Sequence, residues 1–572
     1  MSLRPRVGSK HLLLELDLAR GLLEAPPVSP LAARTRRAPV LRAVVEALAR
    51  AADDKRVVGL VAHVGPRETT LAQSGELRRA VEAFRAAGKA TVCWSESYGE
   101  LGPGNVGYHL ASAFEEVWVQ PSGDVGLTGV TAEAVFVRNT LDKLGVEAQI
   151  GQRQEYKTAA NTFLETSMTD AHREMVGRLV ESAMATIVSD VARGRRLEEK
   201  EVRAAVDTAP IAAQDAVRLG LVDRVGYRDE VYAELRSRFG DVELKYVDRY
   251  RRPVDRVAQA GRAAVRRSRP VVAVVPATGP IHLGRSTASP LTGRTIGSDS
   301  VGAALRAVAK DDAVKAVVLR VDSPGGSYVA SDAIRREVLA LRRSGRPVVA
   351  SMASVAASGG YYIAMPADWV VAGPGTLTGS IGVLAGKQVI REALARVGVN
   401  RESVSAGRYA DMFSTQQPFD DEEWQRLEGW LDRVYADFTS KAAEDRDMSM
   451  QRLREVAKGR VWTGADAKGV GLVDELGGLS DAVSAAATRA GLSRAEVDVR
   501  TVPRVSPLGR LRPAQNSDSP AAAAFGDTWA GGLLGAGPAL FGEGRPLLDA
   551  VLAALGLPPY GVLTMPVVWR LR

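Results

Sequence analysis

The chain has 572 residues, more than one hydrophobic core normally organises, so two or more domains are expected. Its formal charge of +8 is the difference between 75 basic and 67 acidic residues, an excess too modest to suggest nucleic-acid binding and at most a hint of a membrane surface or acidic partner. One cysteine, Cys93, excludes an intrachain disulfide and a C-x-x-C metal site, and with no histidine at recognisable spacing it reads as a buried, inert thiol.

In chain order, Leu12-Leu-Leu-Glu-Leu-Asp-Leu18 alternates and carries acids, which predicts a strand. No signal-peptide apolar core or membrane span is visible there. Residues 41–52 have helical apolar spacing, 57–64 read as a buried strand, 77–87 as a helix ended by Gly88, and 91–94 as the next strand. This alternation implies a parallel sheet with helical crossovers. Residues 246–269, rich in Arg and Ala, read as a linker, and 271–276 open a second domain.

The second domain repeats the first. Asp53-Asp54 matches Asp311-Asp312, and Leu77-Arg-Arg-Ala-Val81 matches Ile334-Arg-Arg-Glu-Val338. Gly107-Tyr108 matches Gly360-Tyr361, Pro121 matches Pro374, and Gly220-Leu-Val-Asp223 matches Gly471-Leu-Val-Asp474. The spacing drifts by only a few residues, as small loop deletions would produce. The tail, 501–572, is rich in Gly, Pro and Ala and reads as an extension, partly disordered or docked on another subunit. Its apolar run 547–569 is broken by Pro558, Pro559 and Pro566, which makes it a poor spanning helix.

The chemistry concentrates in Ser354-Val-Ala-Ala-Ser-Gly-Gly-Tyr-Tyr-Ile-Ala364, read as a strand end, a tight glycine turn and a buried helix. Ser358 precedes Gly359-Gly360, where unpaired N–H groups of a helix N-terminus favour developing negative charge. Taken alone it reads as an N-cap. The repeat changes that reading. Ser358 matches Asn105 in the first copy, and Lys157 of Glu155-Tyr-Lys-Thr-Ala159 matches Ala410 of Arg408-Tyr-Ala-Asp411. One copy keeps a lysine without the serine, the other the serine without the lysine.

Upstream, Asp322-Ser-Pro-Gly-Gly-Ser327 replaces Gly65-Pro-Arg-Glu-Thr69 of the first copy. The ordinary alternative is a type II turn. Opposite a nucleophile, Gly325 and Gly326 would offer backbone donors to an oxyanion with no Cβ in the way. Four of the five histidines lie in the first copy and no G-x-S-x-G elbow surrounds Ser358, so a Ser-His-Asp triad is disfavoured. A lysine neutralised by burial can serve instead, and Tyr156, Ala159 and Ala160 are compatible with partial burial of Lys157.

These residues resemble the long, two-domain form of signal peptide peptidase A, also called protease IV. The resemblance covers roughly residues 10–500 and is carried by Asp322-Ser-Pro-Gly-Gly-Ser327, Ala357-Ser-Gly-Gly-Tyr361, Leu377-Thr-Gly-Ser-Ile-Gly-Val383 and Glu155-Tyr-Lys157. It implies an α/β fold, a tandem duplication of a Clp protease/crotonase-like β–α spiral domain. Residues 10–245 would be the N-terminal repeat with the lysine base, 246–269 the linker, 270–500 the C-terminal repeat with the serine nucleophile, and 501–572 the tail.

It further implies ATP-independent endopeptidase activity on signal peptides and other extended apolar segments. Ser358 would be the nucleophile and Lys157 the base, with Ser380 orienting the lysine; for Ser380 a plain turn residue is an equal alternative. Gly325, Gly326 and Gly359 would hold the oxyanion. No cofactor, metal or nucleic acid is implied. Homo-oligomers, rings or domes such as tetramers, are implied, with membrane association. The N-terminal anchor common in the family is not visible here, and the tail matches nothing in the family's pattern, so a peripheral contact or a cytoplasmic location also fits. Two other readings are a crotonase-like acyl-CoA-processing enzyme and a non-catalytic assembly protein on the same fold.

Overall fold

The computed structural model describes residues 11–26, 38–67, 69–250, 269–289, 293–503 and 563–564. Most of the expected linker at 246–269, and all of the tail at 501–572 apart from 501–503 and 563–564, lie outside the described residues. Two compact units form, Met1–Thr131 with Glu181–Ser268 and Ala132–Val180 with Arg269–Leu571.

In the first unit a parallel sheet runs Val242–Tyr246, His11–Asp17, Val57–His63, Ala90–Ser95, Glu116–Val119, Arg224–Val225. Its strands are apolar runs, as burial on both faces requires, with Leu13, Leu14, Leu60, Val61 and Val117 inside. The helix Leu41–Ala52 buries Leu41, Val44, Leu48 and Ala51, the spacing of one helical face. The next helix, Leu71–Ala86, begins earlier than its apolar pattern predicts because Thr70 and Gln73 form a capping box. Cys93 is buried, which pushes its thiol up to about 12.

The second unit repeats this order. Asp498–Thr501, Val271–Thr278, Val314–Ser323, Val348–Ala357, Trp369–Ala372 and Glu475–Leu476 follow one another, all parallel. The duplicated β–α spiral is therefore present in both units. The strand Val348–Ala357 runs up to the residue before Ser358, and its last part pairs with Leu377–Gly379 at Val355↔Leu377 and Ala357↔Gly379. Two strands thus share one edge of Val348–Ala357, which delivers the chain to Ser358 with Gly379 already in register.

Residues 132–180 contribute a strand to the same unit. Glu147–Gln152 pairs antiparallel with Leu384–Val389, from Leu384↔Gln152 to Val389↔Glu147. Gly151 lies so close to the long helix Asp421–Asp445 that a Cβ there would fall 2.8 Å from Leu431. That packing holds the segment leading to Lys157. No helix among the described residues is long and apolar enough to cross a membrane.

Candidate active site

Ser358 stands between the strand Val348–Ala357 and the short helix Gly359–Ala364. Its backbone has φ 56° and ψ −116°, a left-handed conformation that side chains other than glycine rarely adopt. It occupies the N-cap position, yet its side chain caps nothing. Its N–H donates to the Gly379 carbonyl at 2.8 Å and its carbonyl accepts from Tyr362 N–H at 2.9 Å, so the backbone is fixed on both sides while Oγ remains for another partner.

That partner is Lys157. Nζ lies 2.8 Å from Ser358 Oγ, 3.0 Å from Ser380 Oγ and 3.1 Å from the Ser380 carbonyl. The lysine is fully buried, more than its neighbours suggested, and no carboxylate among the described residues compensates it. Burial penalises the ammonium form and brings its pKa down to about 7. Ser380 also has positive φ, 52°, and its N–H donates to the Arg460 carbonyl at 2.7 Å. Two strained serines therefore flank one amine.

The glycines meet at the same place. A Cβ on Gly359 would fall 3.2 Å from Gly325 Cα and 3.2 Å from Gly326 N, so this strand lies against the start of the serine's helix. Gly325 N–H donates to Ser323 Oγ at 3.2 Å. Ser327 N–H donates to the Ile281 carbonyl, so alternation along the strand turns the Gly326 amide to the opposite edge. Gly325 has φ 109°, a conformation that favours glycine.

The first unit lacks this arrangement. Asn105, the match of Ser358, is the first residue of a helix and closes on Gly129, donating from Nδ2 to its carbonyl at 2.7 Å and accepting its N–H on Oδ1 at 3.1 Å. A Ser74–His109–Asp190 chain does occur there, with 2.7 Å from Ser74 Oγ to His109 Nδ1 and 2.8 Å from His109 Nε2 to Asp190. Ser74 and His109 are buried, Ser74 lies within a helix, and burial lowers the imidazole pKa to about 4. So weak a base suits a structural link better than proton abstraction at neutral pH. In the second unit His282 has both ring nitrogens engaged, with the Leu283 carbonyl and Thr295 Oγ1.

The model of Peptidase family S49 matches residues 83–240 and 340–493, together more than half of the chain. The chain belongs to peptidase family S49. It is 32% identical over 451 residues to the chloroplastic serine protease SPPA of Arabidopsis thaliana, spanning 78% of this chain and 65% of that protein. Protease 4 of Salmonella typhi is 32% identical over 470 residues, 80% of this chain and 73% of its own length. Protease 4 of Haemophilus influenzae is 30% identical over 464 residues, 77% of this chain and 72% of its own length. This S49 chain is a serine peptidase, and its substrates are peptides.

Sequence reasoning missed the residues that seat the lysine in this S49 site. A Cβ on Gly459 would fall 2.6 Å from Lys157 N and 2.7 Å from its Cβ, and one on Gly382 would fall 3.1 Å from its Cδ. Arg460 lies over the rings of both Tyr156 and Trp462, 4.9 and 4.7 Å from their centroids, and pairs with Glu174. Arg153 N–H donates to the Val383 carbonyl at 3.0 Å and Tyr156 N–H to the Lys458 carbonyl at 3.2 Å. Gly382 was visible inside the Leu377–Val383 motif; Gly459 and Arg460 belong to no motif and had no such signal.

Proposed function

We propose that this S49 peptidase is an ATP-independent endopeptidase in which Ser358 is the nucleophile and Lys157 the general base. The observation that carries the reading is a fully buried lysine, with pKa lowered to about 7 by desolvation, 2.8 Å from the hydroxyl of a strained serine.

The neutral amine accepts the Ser358 proton as Oγ bonds to the peptide carbonyl carbon. The carbonyl oxygen takes up the negative charge, and the amides of Gly326 and Gly359 stabilise it in the turn that Gly325 shapes. The ammonium of Lys157 then gives its proton to the departing amine, leaving an acyl ester on Ser358. A water, deprotonated by the same amine, attacks the ester, and Ser358 recovers its proton as the acid product leaves. Ser380 holds Nζ in line through its hydroxyl and carbonyl.

An extended, apolar substrate fits the surroundings. Met175, Leu179, Ala357, Leu377 and Val461 form an apolar cluster, with Tyr156 and Val355 against it, adjoining both Ser358 and Lys157 in sequence. Signal peptides, the substrate class the resemblance implies, have this character. Assembly into a ring or dome such as a tetramer, with a peripheral membrane contact, agrees with the exposed Leu144, Val397, Val399, Val404 and Phe413 of the second unit.

Fluorophosphonate labelling beside cleavage of casein and an apolar peptide tests the reading. Both signals are expected to vanish in Ser358→Ala, and cleavage to collapse in Lys157→Ala. Labelling that survives in Ser358→Ala would place the nucleophile elsewhere. A folded protein that is neither labelled nor active, but binds coenzyme A, would support the acyl-CoA reading.

A further inference from the structure

Three helices of the second unit meet at one polar knot. Tyr362, four residues after Ser358 on the helix Gly359–Ala364, is fully buried, and its hydroxyl lies 3.1 Å from Asp332 Oδ1 and 3.0 Å from Asp437 Oδ2. Lys441 Nζ donates to the same two carboxylates, at 2.7 and 2.9 Å, and the Tyr328 hydroxyl donates to Asp437 at 2.5 Å. The Tyr362 ring packs on Phe438, 4.8 Å between centroids, and stands edge-on to Tyr328. Burial, and then the two carboxylates, push the Tyr362 phenol up, so its oxygen keeps its proton and donates.

Each of these helices carries or holds one part of the reactive centre. The helix Gly359–Ala364 follows the nucleophile, and Tyr362 N–H donates to the Ser358 carbonyl at 2.9 Å. The helix Tyr328–Arg343 follows the Gly325–Gly326 strand and carries Tyr328 and Asp332. The helix Asp421–Asp445 carries Asp437 and Lys441, and it grips the segment that leads to the base. Its Glu428 and Asp432 pair with Arg153, and its Leu431 lies against Gly151.

The first unit ties the matching helices differently. His109 stands four residues after Asn105, where Tyr362 stands four after Ser358, and it links Ser74 to Asp190. Both units therefore join three helices at this place. Only in the second does the join connect a serine to the helix that holds its lysine.

We propose that Asp332, Tyr362, Asp437 and Lys441 form a positioning device, which locks the helix after Ser358 to the helix that seats the Lys157 segment and so keeps Oγ within proton-transfer distance of Nζ. The proposal rests on the reading of Ser358 and Lys157 as nucleophile and base. The four side chains act through the helices that carry them. Misplacing a reacting pair by about 1 Å can cost on the order of 10²-fold in rate, so a small shift of one helix is visible in kcat.

The test uses the full chain, with rates normalised to the folded fraction. Tyr362→Phe keeps the ring and loses only the hydroxyl. Its kcat on an apolar peptide is expected to fall about tenfold, with KM within about twofold of the parent. Asp437→Asn, of equal size and without the charge, is expected to do the same and stands in if the phenylalanine variant does not fold. Unchanged kcat in the folded variants, or an effect confined to KM, overturns the proposal.

A second comparison separates alignment from general support of the fold. In Lys157→Ala there is no base left to align. Residual fluorophosphonate labelling of Ser358 in that background is expected to be the same with and without Tyr362→Phe, whereas in the parent the substitution slows labelling about tenfold. Equal slowing in both backgrounds overturns the proposal. Labelling of Lys157→Ala as fast as the parent would refute the serine/lysine pair itself, and the device with it, a result distinct from equal slowing.

Discussion

Nζ of Lys157 lies 2.8 Å from Oγ of Ser358, although the two residues are 201 positions apart in the chain and both are fully buried. A lysine kept from water, with no carboxylate among the described residues to compensate it, is driven toward the neutral amine. The consequences of that state can be measured.

The first concerns pH. Attack by Ser358 requires neutral Lys157, whose pKa burial brings down to about 7. The value of kcat/KM on a soluble peptide should rise with pH through about 7 and level off above it. A profile flat across that point would assign the proton transfer to another group.

The second concerns stability. The lysine titrates near 10.5 when unfolded and near 7 when folded. Between those values the unfolded chain holds a proton that the folded chain lacks, so native stability rises with pH across the window. At pH 7 and below the full burial penalty is present, up to about 5 kcal/mol. Lys157→Met should therefore raise Tm, most at or below pH 7 and least near pH 10.5, while cutting kcat/KM by about 10²–10⁴-fold. A Tm difference independent of pH would refute the assignment of a depressed lysine.

Ser380 supplies two of the three polar contacts of Nζ. Ser380→Ala removes the hydroxyl and leaves the carbonyl. With the amine less firmly aimed, kcat should fall by up to about 10²-fold with KM little changed. A change confined to KM would make Ser380 a turn residue with no part in orienting the base.

Gly459 is needed for space and conformation. Its φ is +76°, and a Cβ would fall within 2.8 Å of Lys157 Cα. Gly459→Ala should destabilise the second unit by about 1–3 kcal/mol and displace the lysine, so that activity falls further than the Tm shift explains. Full activity in the alanine variant would show that the lysine is seated by other contacts.

Much of the site was legible because duplication left a reference copy within the chain. Ser358 against Asn105 and Lys157 against Ala410 stand out only in that comparison. The Gly325-Gly326 pair was readable because the first copy has Gly65-Pro-Arg-Glu-Thr69 in its place, without a glycine pair. Arg460 and Gly459 were illegible, since a stacked arginine and a glycine making room for a distant lysine carry no local periodicity.

By itself the sequence determined the parallel β–α pattern, the tandem repeat, and which residue types survive in each copy. These follow from short-range periodicity and from comparing the chain with itself. Only the tertiary structure decided that residues 132–180 join the second unit and that Nζ comes to rest between two serines of positive φ. Those outcomes depend on packing and strand pairing between segments far apart in the chain, where no local preference selects the partner.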